Sequence, residues 1–197
     1  MAILRGVPAD SINSLLEAIQ SGGLETVEIT MNTEGATDLI RQSVRNFGKK
    51  MMIGAGTVLT LDSLKSALDA GATFAVMPVL VREVVKHCVQ NKIPVFPGAL
   101  GPQEVYDAWC AGATMVKVFP ARLFGPDYFR ELKGPFRDIE LLACSGVTPA
   151  NLGEYFRNGA GAVAIGSSVF SQNRIASGDF AAITRHLQEY TEAYSNR

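Results

Sequence analysis

Short apolar runs rich in β-branched residues alternate along the chain with longer amphipathic stretches. The runs are Ala2–Leu4, Thr26–Thr30, Met51–Ile53, Phe74–Met77, Val95–Phe96, Met115–Phe119, Glu140–Ala143 and Ala162–Ile165, and their starts lie 24, 25, 23, 21, 20, 25 and 22 residues apart. Each interval has room for a strand, a loop, a helix of about 10–12 residues and a second loop. The punctuation agrees with this rhythm. Gly22-Gly23, Ala70-Gly71-Ala72, Ala111-Gly112-Ala113 and Gly159-Ala160-Gly161 place glycine where a helix would end before the next strand, glycine taking the left-handed cap without strain. Pro8-Ala9-Asp10, Gly125-Pro126-Asp127 and Thr148-Pro149 set proline near expected helix starts.

Eight βα units of this length predict a parallel (β/α)8 barrel forming one domain over residues 1–197. The competing arrangement is a doubly wound open sheet. No GxGxxG opens a helix after the first strand, which weighs against a dinucleotide fold.

Strands of an all-parallel sheet should read as nearly continuous hydrophobic runs, and here charge interrupts them. Glu28 lies inside Thr26–Thr30, Lys117 lies inside Met115–Phe119, and Arg5 follows Ala2-Ile3-Leu4. The other six lysines fall in predicted helices or loops. Side chains alternate along a strand, so Val116 and Val118 would face the helices while Lys117 points into the barrel. Glu28 turns inward by the same rule, between outward Val27 and Ile29. Arg5, Glu28 and Lys117 are therefore expected to meet in one cavity. A buried ion pair holding the core is one reading, but desolvation largely cancels the attraction within such pairs. Catalysis is the other, because barrel enzymes keep their sites at the carboxyl ends of the strands. A lysine there has a distinctive chemistry, imine formation with a carbonyl substrate. Burial favours the neutral, nucleophilic amine, and a carboxylate beside it favours the charged form. Glu28 has its own use, since making and breaking an imine requires protons to be moved.

Composition narrows the alternatives. A formal net charge of -1 does not suit a surface built for nucleic acid or anionic membrane. No apolar run reaches the roughly 18 residues of a membrane span, and the opening residues do not read as a signal peptide. Three cysteines, odd in number and without a CxxC, point to a reducing, cytoplasmic compartment. Cys144 reads as a small packed residue, and Cys88 and Cys110 as structural. His87 and His186, the only histidines, are expected at the surface without partners, so no metal site and no cofactor are expected.

Two glycine-containing loops follow the last two predicted strands, Ser145-Gly146-Val147-Thr148 and Gly166-Ser167-Ser168. In a barrel this is the usual phosphate position, where backbone N–H groups suit a dianion. Ordinary turns are the alternative. Gly54-Ala55-Gly56-Thr57 reads as a loop after strand three, with Thr57 either at a ligand or capping the next helix.

At this point the chain resembles the class I aldolases of 2-keto-3-deoxy-6-phosphogluconate and their relatives. The matching stretches, in order, are AILRG, VEITMNT, GAGTVL, VFPG, VKVFPARLFGP, SGVTPANL and AIGSSVF. The resemblance implies that Lys117 is the Schiff-base lysine and that Glu28 is the general acid/base, acting with an ordered water. It further implies that Thr57, Pro78 and Phe119 belong to the substrate pocket, and that phosphate rests on Ser145, Gly146, Gly166, Ser167 and Ser168. Asn32 stands where the gluconate branch carries an arginine for the substrate carboxylate. The galactonate branch is more similar, with the arginine of AILRG, the asparagine after VEI and the FGP before helix six. Arg5 would then supply the positive charge that Asn32 lacks. Ser145 departs from the Gly-Gly common in the family. The implied substrate is a phosphorylated keto-deoxy sugar acid, cleaved to pyruvate and glyceraldehyde 3-phosphate by a metal-independent homotrimer. The alternatives are a 4-hydroxy-2-oxoglutarate aldolase, a metal-dependent aldolase and a non-catalytic barrel binding a phosphorylated ligand.

Overall fold

The computed structural model describes residues 1–197. Its strands are β1 (Ala2–Leu4), β2 (Thr26–Thr30), β3 (Met52–Gly56), β4 (Ala75–Val76), β5 (Val95–Phe96), β6 (Gly98–Ala99), β7 (Val116–Val118), β8 (Leu141–Cys144) and β9 (Ala160–Ala164). The helices between and after them are α1 (Ile12–Ser21), α2 (Ala36–Phe47), α3 (Leu61–Asp69), α4 (Arg82–Gln90), α5 (Pro102–Cys110), α6 (Asp127–Lys133), α7 (Pro149–Arg157), α8 (Gln172–Ala176) and α9 (Phe180–Ser195). A short 3₁₀ turn, Ala121–Leu123, follows β7.

Every ladder is parallel, running β1-β2-β3-β4-β5 and β6-β7-β8-β9. The two runs join at both edges into a (β/α)8 barrel. At one seam β5 and β6 are halves of one stave, broken at Pro97, which has no N–H to give to a ladder. Val95–Phe96 pair with β4, and Gly98–Ala99 pair with β7. A Cβ at Gly98 would collide with the Pro78 carbonyl, so only glycine lets this stave pass. At the other seam Ile3 N–H donates to the Ile165 carbonyl at 2.8 Å, and Ile165 N–H donates to that of Met1 at 2.9 Å.

The largest difference from the expected boundaries is at β3, which runs through Gly56 instead of ending at Ile53. Gly54-Ala55-Gly56 looks like a loop because glycine weakens a strand. The glycines are needed because their inward faces meet other side chains. A Cβ at Gly54 would strike the Phe74 ring, and one at Gly56 would lie 2.8 Å from the Glu28 carboxyl carbon. Helix α1 also begins later than Pro8-Ala9-Asp10 suggests, after Ser11.

Alternation along the strands divides the interior. Outward residues such as Val27, Ile29, Val116 and Val118 join the large core under the helices. Leu142, Cys144 and Ala164 instead form a small cluster with Ile3, Phe96 and Met115 inside the barrel. This inner packing shares the interior with the charged strand residues, Ile3 lying level with Glu28 and Leu142 level with Lys117.

Candidate active site

The register carries the two charged strand residues to one place. Ile3, Glu28 and Gly54 are level across β1, β2 and β3, while Gly98, Lys117 and Leu142 are level across β6, β7 and β8. Glu28 and Lys117, 1% and 6% exposed, are the only buried charged residues in the chain. Lys117 Nζ lies 3.8 Å from Glu28 Oε1, an ion pair beyond hydrogen-bond length. Glu28 Oε2 is buried without a hydrogen-bond partner. Burial raises the Glu28 carboxyl above its ordinary range, with the Lys117 and Arg5 charges pulling the other way. A carboxyl so placed can hold a proton or take one up. The amine beside it also lies 5.5 Å from the Phe119 ring centroid.

Arg5 does not enter the interior as expected. It lies beyond the end of β1, two residues above Ile3, and is exposed at the rim. Two residues along an extended strand lift it about 6.6 Å above Ile3. Its Nη1 donates to Asn32 Oδ1 at 2.9 Å and its Nη2 donates to Thr57 Oγ1 at 3.2 Å. These three residues form one polar group across the ends of β1, β2 and β3. Gln172 Nε2 donates to the Arg5 carbonyl at 2.8 Å and packs against Gly6, a role the sequence did not announce. Thr57 has φ 55° and does not cap α3; Thr60 does, accepting from Ser63 N–H.

The loops after β8 and β9 stand beside this group. The backbone N–H groups of Ser145, Gly146, Gly166, Ser167 and Ser168 donate to no acceptor within the chain. The Gly166 carbonyl receives the N–H groups of both Val169 and Phe170 at 3.0 Å, which curls that segment and leaves its leading amides open. Ser145 and Gly146 both have left-handed backbone, φ 82° and 80°. Their loop is anchored by Asn151, whose Nδ2 donates to the Gly146 carbonyl at 3.0 Å. Asn151 also closes a capping box with Thr148 at the start of α7. Arg122, within the 3₁₀ turn, packs its Cα and Cβ against Gly146.

Pro78 and Phe119 flank the mouth on the opposite side. They line a cavity of about 530 Å³ with Val79, Leu80, Ala99 and Glu104. Neither Lys117 nor the two open-amide loops lines this cavity, so the polar group above is a separate part of the barrel mouth. Among the cysteines, Cys144 sits in the inner cluster and burial raises its thiol, whereas Cys110 is exposed rather than structural. His186 is not a bare surface residue, since its Nδ1 lies 3.1 Å from Arg174 Nη1. No three His, Cys, Asp or Glu side chains gather into a possible metal cluster.

A parallel barrel with a lysine and a glutamate buried side by side in the middle of two of its strands has the groups that imine chemistry on a carbonyl substrate requires. Residues 1–186 match the family model described as KDPG and KHG aldolase. The chain belongs to this family and is an aldehyde-lyase. It is 31% identical over 194 residues to the 2-dehydro-3-deoxy-6-phosphogalactonate aldolase of Escherichia coli K12, covering 98% of this chain and 95% of that protein. The solved structure described as native KDPGal superposes with a TM-score of 0.93 at 31% identity, covering 99% of this chain and 93% of the other. The KDPG aldolase of Legionella pneumophila, whose structure holds pyruvate as a covalent carbinolamine, matches with a TM-score of 0.86 at 26% identity. That match covers 95% of this chain and 92% of the other.

Proposed function

We propose that this chain cleaves a 2-keto-3-deoxy-6-phospho sugar acid, of the galactonate or gluconate type, to pyruvate and glyceraldehyde 3-phosphate. The observation that carries this reading is the buried Lys117–Glu28 pair at 3.8 Å, with Glu28 Oε2 unpartnered. Lys117 attacks the C2 ketone, and loss of water from the carbinolamine leaves an iminium. Glu28 takes the proton of the C4 hydroxyl as the C3–C4 bond breaks. The bonding pair passes into the iminium, giving an enamine and the aldehyde. Glu28 returns its proton to C3, and water hydrolyses the new iminium to pyruvate and free Lys117.

Arg5, Thr57 and Asn32 suit the carboxylate end of the substrate, and Pro78 and Phe119 wall the opposite side. Phosphate rests on Ser145, Gly146, Gly166, Ser167 and Ser168, whose open amides match a dianion. This set of amides favours a phosphorylated substrate over the diacid 4-hydroxy-2-oxoglutarate.

Residues 1–197 act as one catalytic domain in a cytoplasmic homotrimer. Support for an oligomer comes from Val79, Leu123 and Phe124, which are 54%, 59% and 57% exposed. The Phe124 ring lies tilted against Tyr128 with centroids 4.9 Å apart, the Tyr128 hydroxyl donates to the Leu100 carbonyl, and Leu100 and Val79 line one cavity. Support for the compartment comes from three free cysteines, and no helix is long and apolar enough to cross a membrane. A molar-mass measurement in solution tests the trimer. Borohydride reduction with saturating pyruvate tests the mechanism: a stable adduct is expected on Lys117, and an unmodified Lys117 overturns it.

A further inference from the structure

We propose that Arg122 is a substrate-binding residue that supplies the positive charge of the phosphate site and so sets this chain's preference for phosphorylated substrates. The inference rests on the placement of phosphate at the two loops after β8 and β9. Those loops offer five open amides and serine hydroxyls, but no full charge. A dianion held only by neutral donors keeps its charge uncompensated.

The nearby cations are committed elsewhere, with one exception. Lys117 is buried beside Glu28. The Arg5 guanidinium is turned towards β2 and β3, where Asn32 and Thr57 hold it. Arg122 is exposed, and its guanidinium takes part in none of the chain's salt bridges or side-chain hydrogen bonds.

The stem of Arg122 is fixed where this charge is needed. A Cβ at Gly146 would collide with Arg122 Cβ and lie 3.0 Å from its Cα. Gly146 thus lets the turn after β7 close onto the loop after β8. The next strand over carries the Gly166–Ser168 loop, about 4.8 Å further along the sheet, within the length of an arginine side chain. A guanidinium there can form two parallel N–H···O bonds to phosphate, a fork that lysine cannot reproduce.

The test compares kcat/KM for the phosphorylated keto-deoxy acid with that for its dephosphorylated analogue, in the wild type, Arg122→Gln and Arg122→Lys. Arg122→Gln is expected to lower the ratio about five- to tenfold, a modest factor because the site is open to solvent. Arg122→Lys should recover part of it, and inorganic phosphate should inhibit Arg122→Gln more weakly than wild type by a similar factor. Added salt should shrink the wild-type advantage. A ratio unchanged in Arg122→Gln, or equal losses on both substrates, would show that Arg122 only packs the loop and overturn the inference. A wild type without preference for the phosphorylated acid would instead overturn the phosphate assignment itself.

Discussion

Gly56 offers a sharp test of how the barrel positions its acid. The perturbation is one methyl group, Gly56→Ala, inside β3. An added Cβ would stand 2.8 Å from Glu28 Cδ and 3.0 and 3.1 Å from its two carboxyl oxygens. Carbon contacts are comfortable from about 3.5 Å, so the carboxyl must retreat by about 0.7 Å. Glu28 is 1% exposed and level with Gly54 in the ladder, so it has little free space to enter. Overpacking of this kind costs about 1–3 kcal/mol. Displacing a catalytic group by about 1 Å can cost about 100-fold in rate, so a loss of about 30- to 100-fold in kcat is expected. Steady-state cleavage and denaturant unfolding measure the two effects. A double-mutant cycle with Glu28→Ala isolates the cause, because truncating Glu28 removes the atoms that clash. Gly56→Ala should then cost little stability in the Glu28→Ala background. Wild-type turnover in Gly56→Ala, or an equal stability loss in both backgrounds, would refute the reasoning.

Glu28→Gln should lower cleavage by about 10²–10⁴-fold while retaining borohydride-dependent capture of pyruvate on Lys117; cleavage at the wild-type rate would remove Glu28 from the proton transfers. The same variant tests the titration of Glu28. Burial raises this carboxyl above its ordinary 4.5, so the native state keeps a proton that the unfolded chain releases. Its contribution to stability is full below about pH 4.5 and is lost as pH rises through the native value. Relative to wild type, Glu28→Gln should therefore gain stability as pH climbs from about 4.5, and parallel curves in chemical denaturation across pH would contradict this. Lys117→Met should abolish pyruvate capture and strand a buried carboxylate, destabilising the fold by up to about 3–5 kcal/mol at neutral pH, with Glu28→Gln restoring it. Equal unfolding midpoints for the single and double variants would argue against a buried pair. Thr148→Ala removes a cap of α7 and should cost about 1 kcal/mol, read as a lowered midpoint, and should weaken phosphate inhibition through the Asn151-anchored loop.

Much of this molecule is written in local patterns. The repeat of apolar runs and amphipathic stretches yields the barrel because each parallel strand must return through a helix. Lys117 and Glu28 are legible because a charge between two outward valines, or between Val27 and Ile29, has only the interior to face. Other features escape such patterns. Gly54 and Gly56 read as a loop, yet they belong to β3 and leave room for Phe74, just before β4, and for Glu28 of β2. Pro97 divides a stave that the periodicity counts as one short run. Alternation places Arg5 on the inward side but does not say how far up the barrel it lies, and so misses its exposure at the rim. Sequence alone therefore determined the class of fold, the inward faces of the strands and the two charges that face one another, since these follow from period and polarity. Only the tertiary structure decided the 3.8 Å spacing of Lys117 and Glu28, the bonding of Arg5 to Asn32 and Thr57, and the contact of Arg122 with Gly146. These depend on how the barrel closes and which strand ends stand level, relations between residues far apart in the chain that no local period encodes.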